Sequence, residues 1–427
     1  MTFIILVFIF GYLAIAFENT IRVNKAATAL MTGVICWTVY IFLADSKSRV
    51  ITELTGHVGE LSQILFFLLG AMTIVELIDL HDGFENITQR IKTTDKRKLL
   101  WIVGFLSFFL SAILDNLTTA IVMVSLIRKL MADEKDRMMM AGLIIICSNA
   151  GGAWSPIGDV TTTMLWIGGQ ITTYNIIIKL LLPSLACSLV SLLLIRIFVK
   201  GRFQSPNEKF GGIEIRPVDS LHRKIVFLTG IGILLLVPVF KTVTHLPPFM
   251  GMLIGLGIIW LITEIVHSDK DEQERKRFTV SYAIRKIDTP SILFFLGILL
   301  AVAALESTGQ LVKLATWLDK HLKDQNAIAI SMGLASSIVD NVPLVAASMG
   351  MYDLNRFPTD HYFWEFIAYS TGTGGSALII GSAAGVAVMG IERINFVWYL
   401  KRISWIALAG FFAGAIVYIL QRSLFFL

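Results

Sequence analysis

Long apolar runs constrain the fold of this chain more than any other feature. Runs of about 20 residues recur from one end to the other, with short polar segments between them. Charged residues make up only 16% of the 427 positions, below the roughly 25% of soluble proteins. Inside a bilayer each backbone N–H and C=O group needs an internal partner, and a helix supplies one locally. The sequence therefore predicts an all-α polytopic membrane protein.

Two of the apolar runs contain an Asp-Asn pair near their middle. The stretch Ser-Ala-Ile-Leu-Asp-Asn-Leu-Thr-Thr-Ala holds Asp115 and Asn116, and the later stretch Ser-Ser-Ile-Val-Asp-Asn-Val holds Asp340 and Asn341. An ionisable group at membrane depth is costly, so it points to function. Its recurrence in a matching frame indicates that the chain is duplicated.

The duplication extends to the interrupted segments. Each apolar half beside an Asp-Asn pair has about 15 residues, roughly 22 Å of helix, whereas the hydrocarbon core is roughly 30 Å thick. We therefore predict re-entrant hairpins over 98–131 and 326–353. Gly-Gly pairs with polar neighbours predict broken helices over 137–170 and 361–391, because irregular backbone at membrane depth must line a cavity. Paired interruptions of this kind point to the binding site of a transporter.

The domain prediction follows from this repeat. The first repeat covers 1–200, a cytoplasmic linker covers 201–220, and the second repeat covers 221–427. Each repeat has about five spans and one hairpin, so the odd number of crossings inverts the second repeat. The other spans are predicted at 2–17, 25–44, 60–80, 175–198, 221–240, 247–267, 290–308 and 396–420, with interfacial helices at 84–97 and 310–323.

Loop charge gives the orientation. When loops are assigned alternately, about three quarters of the 36 Lys and Arg residues lie on one side, which the positive-inside rule makes the cytoplasm. We expect both termini outside, in the inner (plasma) membrane of a bacterium. The net charge of +5 comes from these loops and does not indicate nucleic acid as a partner.

The candidate ligands are almost all oxygen donors, which suit a hard cation. Protons compete with such a cation for carboxylate oxygens. We expect Na⁺ to bind at Asp115, Asn116, Asp159 and Asp340. The full cation- and proton-binding set adds Asn341, Asn149, Ser111, Thr161 and Thr162. A possible second half-site comprises Ser337, Ser370, Thr371, Thr373 and Ser376.

The duplicated carboxylates rank first among these residues. We expect loss of Asp115 or Asp340 to abolish or severely impair exchange. Any carboxylate variant that retains activity, of which Asp159→Asn is the first candidate, should shift its pH profile to lower pH. Structural roles remain open for the same residues. An Asp at a hairpin turn can cap a helix, Asn and Thr can join helices, and Gly-Gly pairs can serve close packing.

At this point the residues resemble a known family. The repeated order of interfacial helix, Asp-Asn hairpin and Gly-Gly broken helix resembles the ion transporter superfamily. Within it, the motif at 111–120 and the motif Ser-Asn-Ala-Gly-Gly-Ala-Trp-Ser-Pro-Ile-Gly-Asp-Val-Thr-Thr-Thr at 148–163 resemble the NhaD-type sodium/proton antiporters. The resemblance implies a homodimer embedded in lipid, with a fixed scaffold and a moving transport domain in each protomer. It implies transport roles for Ser111, Asp115, Asn116, Asn149, Asp159, Thr161, Thr162 and Asp340.

Three functions compete at this stage. The first is secondary active exchange of Na⁺, and also Li⁺, for protons by elevator-like alternating access, with no cofactor. The second is an anion or oxyanion carrier for dicarboxylates or arsenite, although dicarboxylate carriers show Ser-Asn-Thr at the hairpin tips. The third is an intramembrane aspartyl protease, but the run before Asp159 lacks the Gly-x-Gly-Asp motif of such enzymes. We therefore expect a transporter and not an enzyme.

Overall fold

The structure is a computed structural model that describes the chain except residues 1, 17, 86–90, 92, 203–218, 270, 272–274 and 426–427. Helices joined by short loops make up the described ranges, which contain no β-strand. The first half contains α1 Thr2–Ala16, α2 Glu18–Ile21, α3 Lys25–Leu43, α4 Lys47–Leu80, α5 Lys96–Leu114, α6 Asn116–Leu130, α7 Glu134–Gly152, α8 Val160–Ile167 and α9 Thr173–Phe198. The second half contains α10 Ser220–Thr244, α11 Pro248–Val266, α12 Val280–Lys286, α13 Thr289–Ser307, α14 Gln310–Leu322, α15 Gln325–Ala335, α16 Asn341–Met351, α17 Tyr362–Gly374, α18 Ala383–Glu392, α19 Phe396–Arg402 and α20 Ser404–Phe425.

Eight helices in the described ranges are long and apolar enough to cross a membrane. They are α3, α4, α5, α9, α10, α11, α13 and α20. The chain is therefore an all-α, multi-pass membrane protein, as the apolar runs predict. Most of the linker predicted at 201–220, and residues 86–90 and 92 of the interfacial segment, lie outside the described residues.

Some helix bounds differ from the sequence expectation. Helix α4 begins at Lys47 and has 34 residues, so it is far longer than the span expected at 60–80. Its first turns are polar, and the pair Arg49–Glu53 at 2.8 Å stabilises them outside the apolar region. The first hairpin arm, α5, has 19 residues because it continues into a basic first turn. The segment 396–420 divides into α19 and α20 at Ile403.

Helices α3 and α13 form a tight pair across the two halves. A Cβ placed on Gly33 would lie 2.6 Å from the carbonyl oxygen of Gly297, so glycine permits this approach. The indole N–H of Trp37 donates a hydrogen bond of 2.9 Å to the carbonyl oxygen of Leu300. This close contact between the two backbones makes α3 and α13 one packed unit.

Each hairpin packs on the broken helix of its own half through an equivalent hydrogen bond. The hydroxyl of Ser111 donates to the carbonyl oxygen of Ser148 at 2.6 Å. The hydroxyl of Ser336 donates to the carbonyl oxygen of Thr371 at 2.7 Å. The number of residues between Ser111 and Ser336 equals the number between Asp115 and Asp340. The number between Ser148 and Thr371 is nearly the same. The sequence duplication therefore corresponds to a repeated contact.

Candidate functional site

Four helix N-termini meet where the hairpins and the broken helices are interrupted. The side chain that caps each one is Asp115 for α6, Asp159 for α8, Asp340 for α16 and Ser382 for α18. Each cap accepts a hydrogen bond from a backbone N–H two or three residues further on, as N-cap residues do. Three of the four caps are carboxylates, whose charge balances the positive ends of the helices.

Asp159 lies at the centre of this arrangement and is 1% exposed. Its Oδ1 accepts hydrogen bonds from the backbone N–H of Thr161 at 2.8 Å and from the Thr161 hydroxyl at 2.7 Å. The side-chain amide of Asn116 donates to Oδ2 at 2.6 Å, and that of Asn341 lies 3.3 Å from the same oxygen. One carboxylate therefore contacts the tips of both hairpins.

Asn149 extends the network into the second half of the chain. Its amide oxygen accepts a hydrogen bond of 3.1 Å from Asn116, and its amide nitrogen donates to Ser376 at 2.9 Å and to Ser382 at 3.0 Å. Sequence reasoning missed Ser382. The duplication contains the signal for Ser382. It follows Asp159 by the same number of residues that separates the second Gly-Gly pair from the first.

Asp115 occupies a different environment from Asp159. Its two oxygens accept hydrogen bonds from the backbone N–H of Thr118 at 2.7 Å and from the Thr118 hydroxyl at 2.8 Å. Its backbone has φ 119° and ψ 161°, a region that residues other than glycine rarely adopt. Strain of this kind costs about 1–3 kcal/mol and clusters at functional positions. The charges of Asp115 and Asp340 both act on Asp159.

Asp340 also differs from its counterpart. One of its oxygens lies 3.9 Å from the ammonium group of Lys25. The interrupted stretches of the sequence contain no Lys or Arg. From the sequence alone, we would therefore expect the three carboxylates to have no basic partner. The fold supplies one from the start of α3, in the opposite half of the chain.

The other predicted hydroxyls are mostly bonded to nearby backbone. Ser370 is buried, and no described group forms a hydrogen bond with its hydroxyl. Of the possible second half-site, only Ser376 joins the network around Asp159. The hydroxyls that donate to backbone carbonyl oxygens belong to Ser111, Thr162, Ser337, Thr371 and Thr373.

The three aspartates do not form a compact metal cage. No group of three or more His, Cys, Asp or Glu in the described ranges lies close enough to hold a metal ion. A cation at Asp159 would therefore bind one carboxylate together with neutral oxygens. Of the groups beside this carboxylate, the Thr161 hydroxyl offers an oxygen, whereas Asn116 and Asn341 direct their amide N–H groups at it.

Comparison with known proteins gives the family. A family model described as a citrate transporter matches residues 12–364. Sodium/proton antiporter 1 of Arabidopsis thaliana is 48% identical over 99% of this chain and 72% of its own length. The Na(+)/H(+) antiporter NhaD of Vibrio cholerae is 30% identical over 97% of this chain and 91% of its own length.

The chain belongs to the NhaD-type sodium/proton antiporter family. A second plant relative, sodium/proton antiporter 2 of Arabidopsis thaliana, is 45% identical over 97% of this chain and 98% of its own length. These NhaD-type relatives are named as antiporters, so family membership places the chain among transporters rather than enzymes. The resemblance found in the motifs at 111–120 and 148–163 is thereby confirmed.

Proposed function

We propose that the protein exchanges Na⁺, and also Li⁺, for protons. The observation that carries this proposal is the set of contacts of Asp159, a buried carboxylate that receives side-chain amides from the tips of both hairpins. A carboxylate in such a position can hold either a proton or a cation. Because the two occupancies exclude each other, alternating access to the site is sufficient for exchange.

The hydrogen bonds around Asp159 all have the carboxylate as acceptor, which suits its ionised form. Asn116 and Asn341 direct their N–H groups at the carboxylate, and Asn116 directs its oxygen at the backbone N–H of Leu117. A cation at the carboxylate repels these N–H groups. Rotation of the amides would turn their oxygens towards the cation. The hairpin tips can therefore respond to what Asp159 has bound.

This geometry changes the order of importance of the three carboxylates. Asp159 becomes the primary group that binds cation and proton, because its carboxylate contacts both hairpin tips from the first broken helix. Asp115 and Asp340 cap the hairpin tips and add negative charge nearby. Asp159→Asn is no longer the variant that we expect to keep activity.

The transport cycle that we propose is an elevator-like movement. The hairpins and broken helices carry the site past a scaffold that includes the close pair α3 and α13. The same proposal includes an inverted repeat over 1–200 and 221–427, a homodimer, both termini outside and the bacterial plasma membrane. The equivalent contacts of Ser111 and Ser336 support the repeat. The charge bias of the loops supports the orientation.

A citrate or other anion carrier is the second candidate, favoured by the description of the matching family model. An anion site needs unbalanced positive charge. Here carboxylates already cap three of the four helix N-termini that meet at the site. The fourth cap is the neutral Ser382. The site is therefore better suited to a cation.

Everted membrane vesicles distinguish the two functions. A fluorescent pH probe reports proton movement after Na⁺, Li⁺, K⁺ or citrate is added to the energised vesicles. We expect Na⁺ and Li⁺ to dequench the probe without any organic acid. A response that requires citrate, or uptake of labelled citrate, would replace this proposal with the anion carrier.

Ser382→Ala tests the link between the second broken helix and the cation site. We expect the KM for Na⁺ to rise about tenfold, because Asn149 loses a partner and α18 loses a cap worth about 1 kcal/mol. Ser46→Ala is the matched control, since Ser46 caps the exposed start of α4. Equal KM values in the two variants would remove Ser382 from the site.

Accessibility tests the orientation. Glu274, which the loop charges place on the cytoplasmic side, lies outside the described residues. Lys135, in the first turn of α7, serves as the position for the same side. We expect Lys135→Cys to react with an impermeant maleimide only from the cytoplasm and Asp324→Cys only from outside. The native cysteines are buried. Labelling of both positions from one side would contradict the inverted repeat.

A further inference from the structure

The second hairpin tip has an unused carboxylate oxygen, whereas the first does not. Thr118 occupies both oxygens of Asp115 through its N–H and its hydroxyl. The equivalent position after Asp340 holds Pro343, which has neither group. Asp340 keeps only a weak cap, the backbone N–H of Val342 at 3.3 Å from Oδ1. Its Oδ2 is therefore available for another partner.

Lys25 occupies that position. Its ammonium group lies 3.9 Å from Oδ2 of Asp340 and 4.6 Å from the centre of the Phe294 ring on α13. The two paired side chains are only 20% and 11% exposed, so water screens the pair weakly. The first hairpin has no such partner, because Pro248 stands at the position equivalent to Lys25 in the second repeat. Asp115 makes no ion pair with any described residue.

The ion pair links α3 to the tip of the second hairpin, whose helix α16 also packs against α13. Lys25 is the first residue of α3, which is fixed to α13 through Gly33, Gly297 and Trp37. Asp340 is at the tip of the second hairpin and next to Asn341, which contacts Asp159. The pair therefore links the scaffold to the element that carries the cation site.

A second carboxylate lies within reach of the same lysine. Tyr12, Glu18, Lys25, Phe294 and Asp340 all line one small cavity. An oxygen of Glu18 accepts a hydrogen bond of 3.3 Å from the backbone N–H of Lys25. At 3.9 Å the Lys25–Asp340 pair is too long for a direct hydrogen bond, which makes it easy to displace. Glu18 is therefore a second carboxylate in the cavity that Lys25 and Asp340 line.

We propose that Lys25 is a positioning residue that acts as the internal counter-cation of Asp340. It neutralises the second hairpin tip when no transported cation is present, and Na⁺ displaces it when the site fills. An uncompensated carboxylate at membrane depth is costly, so the pair favours the return of the Na⁺-free carrier to the conformation in which α3 lies beside Asp340. This inference rests on the proposed exchange of Na⁺ for protons.

The test is the Na⁺ dependence of proton movement in everted vesicles containing Lys25→Met. Loss of the competing ammonium should lower the KM for Na⁺ about fivefold. Loss of the counter-charge should also lower the maximal rate about tenfold. Lys25→Arg should resemble the wild type, because it keeps the charge. Lys47→Met is the matched control, since Lys47 is the exposed first residue of α4.

A lower KM together with a lower maximal rate supports the proposal, since a merely structural defect would not raise apparent affinity. An unchanged or higher KM in Lys25→Met overturns it, whatever happens to the rate. If wild-type vesicles show no Na⁺-dependent proton movement, both the proposed function and the proposed role of Lys25 are wrong. A wild-type response that Lys25→Met reproduces in both KM and maximal rate overturns the Lys25 role alone.

If Lys25→Met does not accumulate in the membrane, chemical restoration of the charge at a cysteine provides a second test. Lys25→Cys should show the low KM and low rate of a neutral side chain. Aminoethyl methanethiosulfonate attaches a new ammonium group and should restore both values, whereas methyl methanethiosulfonate should not. Equal effects of the two reagents would contradict a role for charge at this position.

Discussion

Vesicles containing Asp159→Asn are expected to lose about 99% of their Na⁺-dependent proton movement, because the ionisable group at membrane depth is gone. The asparagine NH₂ group cannot accept hydrogen bonds, yet every described partner of the Asp159 carboxylate donates one. Thr161 donates to Oδ1, and the amides of Asn116 and Asn341 approach Oδ2. Each buried donor left unpaired costs about 1–3 kcal/mol, and the variant also lacks the charge that binds cation or proton.

The measurement is the dequenching response per amount of transporter in the membrane. Asp133→Asn is the matched control, because Asp133 caps the other end of the same broken helix but lies at an exposed position. We expect Asp133→Asn to keep wild-type exchange. An Asp159→Asn protein that reaches wild-type rates would remove Asp159 as the primary site and return that role to Asp115 and Asp340.

The second large effect is expected from glycines where each hairpin crosses its broken helix. A Cβ on Gly151 would lie 2.1 Å from the carbonyl oxygen of Phe108, and one on Gly374 would lie 2.0 Å from that of Gly333. Backbone atoms cannot rotate away from such a clash. Gly151→Ala and Gly374→Ala should each lower the free energy of unfolding by about 3 kcal/mol, the upper end for overpacking.

Thermal unfolding in detergent, followed by intrinsic fluorescence, checks this prediction. Gly232→Ala and Gly257→Ala are matched controls in membrane helices, since a Cβ at either position meets no atom within 4 Å. We expect both controls to unfold at or above the wild-type temperature. If Gly151→Ala and Gly374→Ala unfold with the controls, the crossing is less close than the structure indicates.

Local chemistry explains why the sequence predicted that these segments are interrupted, although the broken helices continue through Gly152 and Gly374 and end there. A carboxylate inside an apolar run and a Gly-Gly pair beside polar residues cannot continue a lipid-facing helix. The breaks at Asp115 and Asp340 and the caps at these residues follow from that constraint. The duplication then shows which interruptions belong together, because it repeats them at nearly constant offsets.

The sequence did not predict the contacts between distant segments. The sequence places Lys25 at the start of a predicted span, and only the packing of α3 against α13 brings it to Asp340. The same limit hid the bonds that Asn149 makes with Ser376 and Ser382 in the other half of the chain. The start of α4 was missed for another reason. Hydropathy detects only apolar helix, whereas the polar turns at 47–59 are stabilised by local pairs such as Arg49–Glu53.

Competition between Na⁺ and protons at Asp159 is the central claim, and equilibrium Na⁺ binding to the purified protein tests it most directly. Calorimetry at a series of pH values gives the apparent affinity without any transport step. If one proton leaves for each cation bound, the affinity rises about tenfold per pH unit below the pKa of the binding carboxylate and levels off above it. Asp159→Asn should show no saturable binding over the same series. An affinity in the wild type that stays constant from acidic to alkaline pH would contradict competition and leave these carboxylates with a structural role.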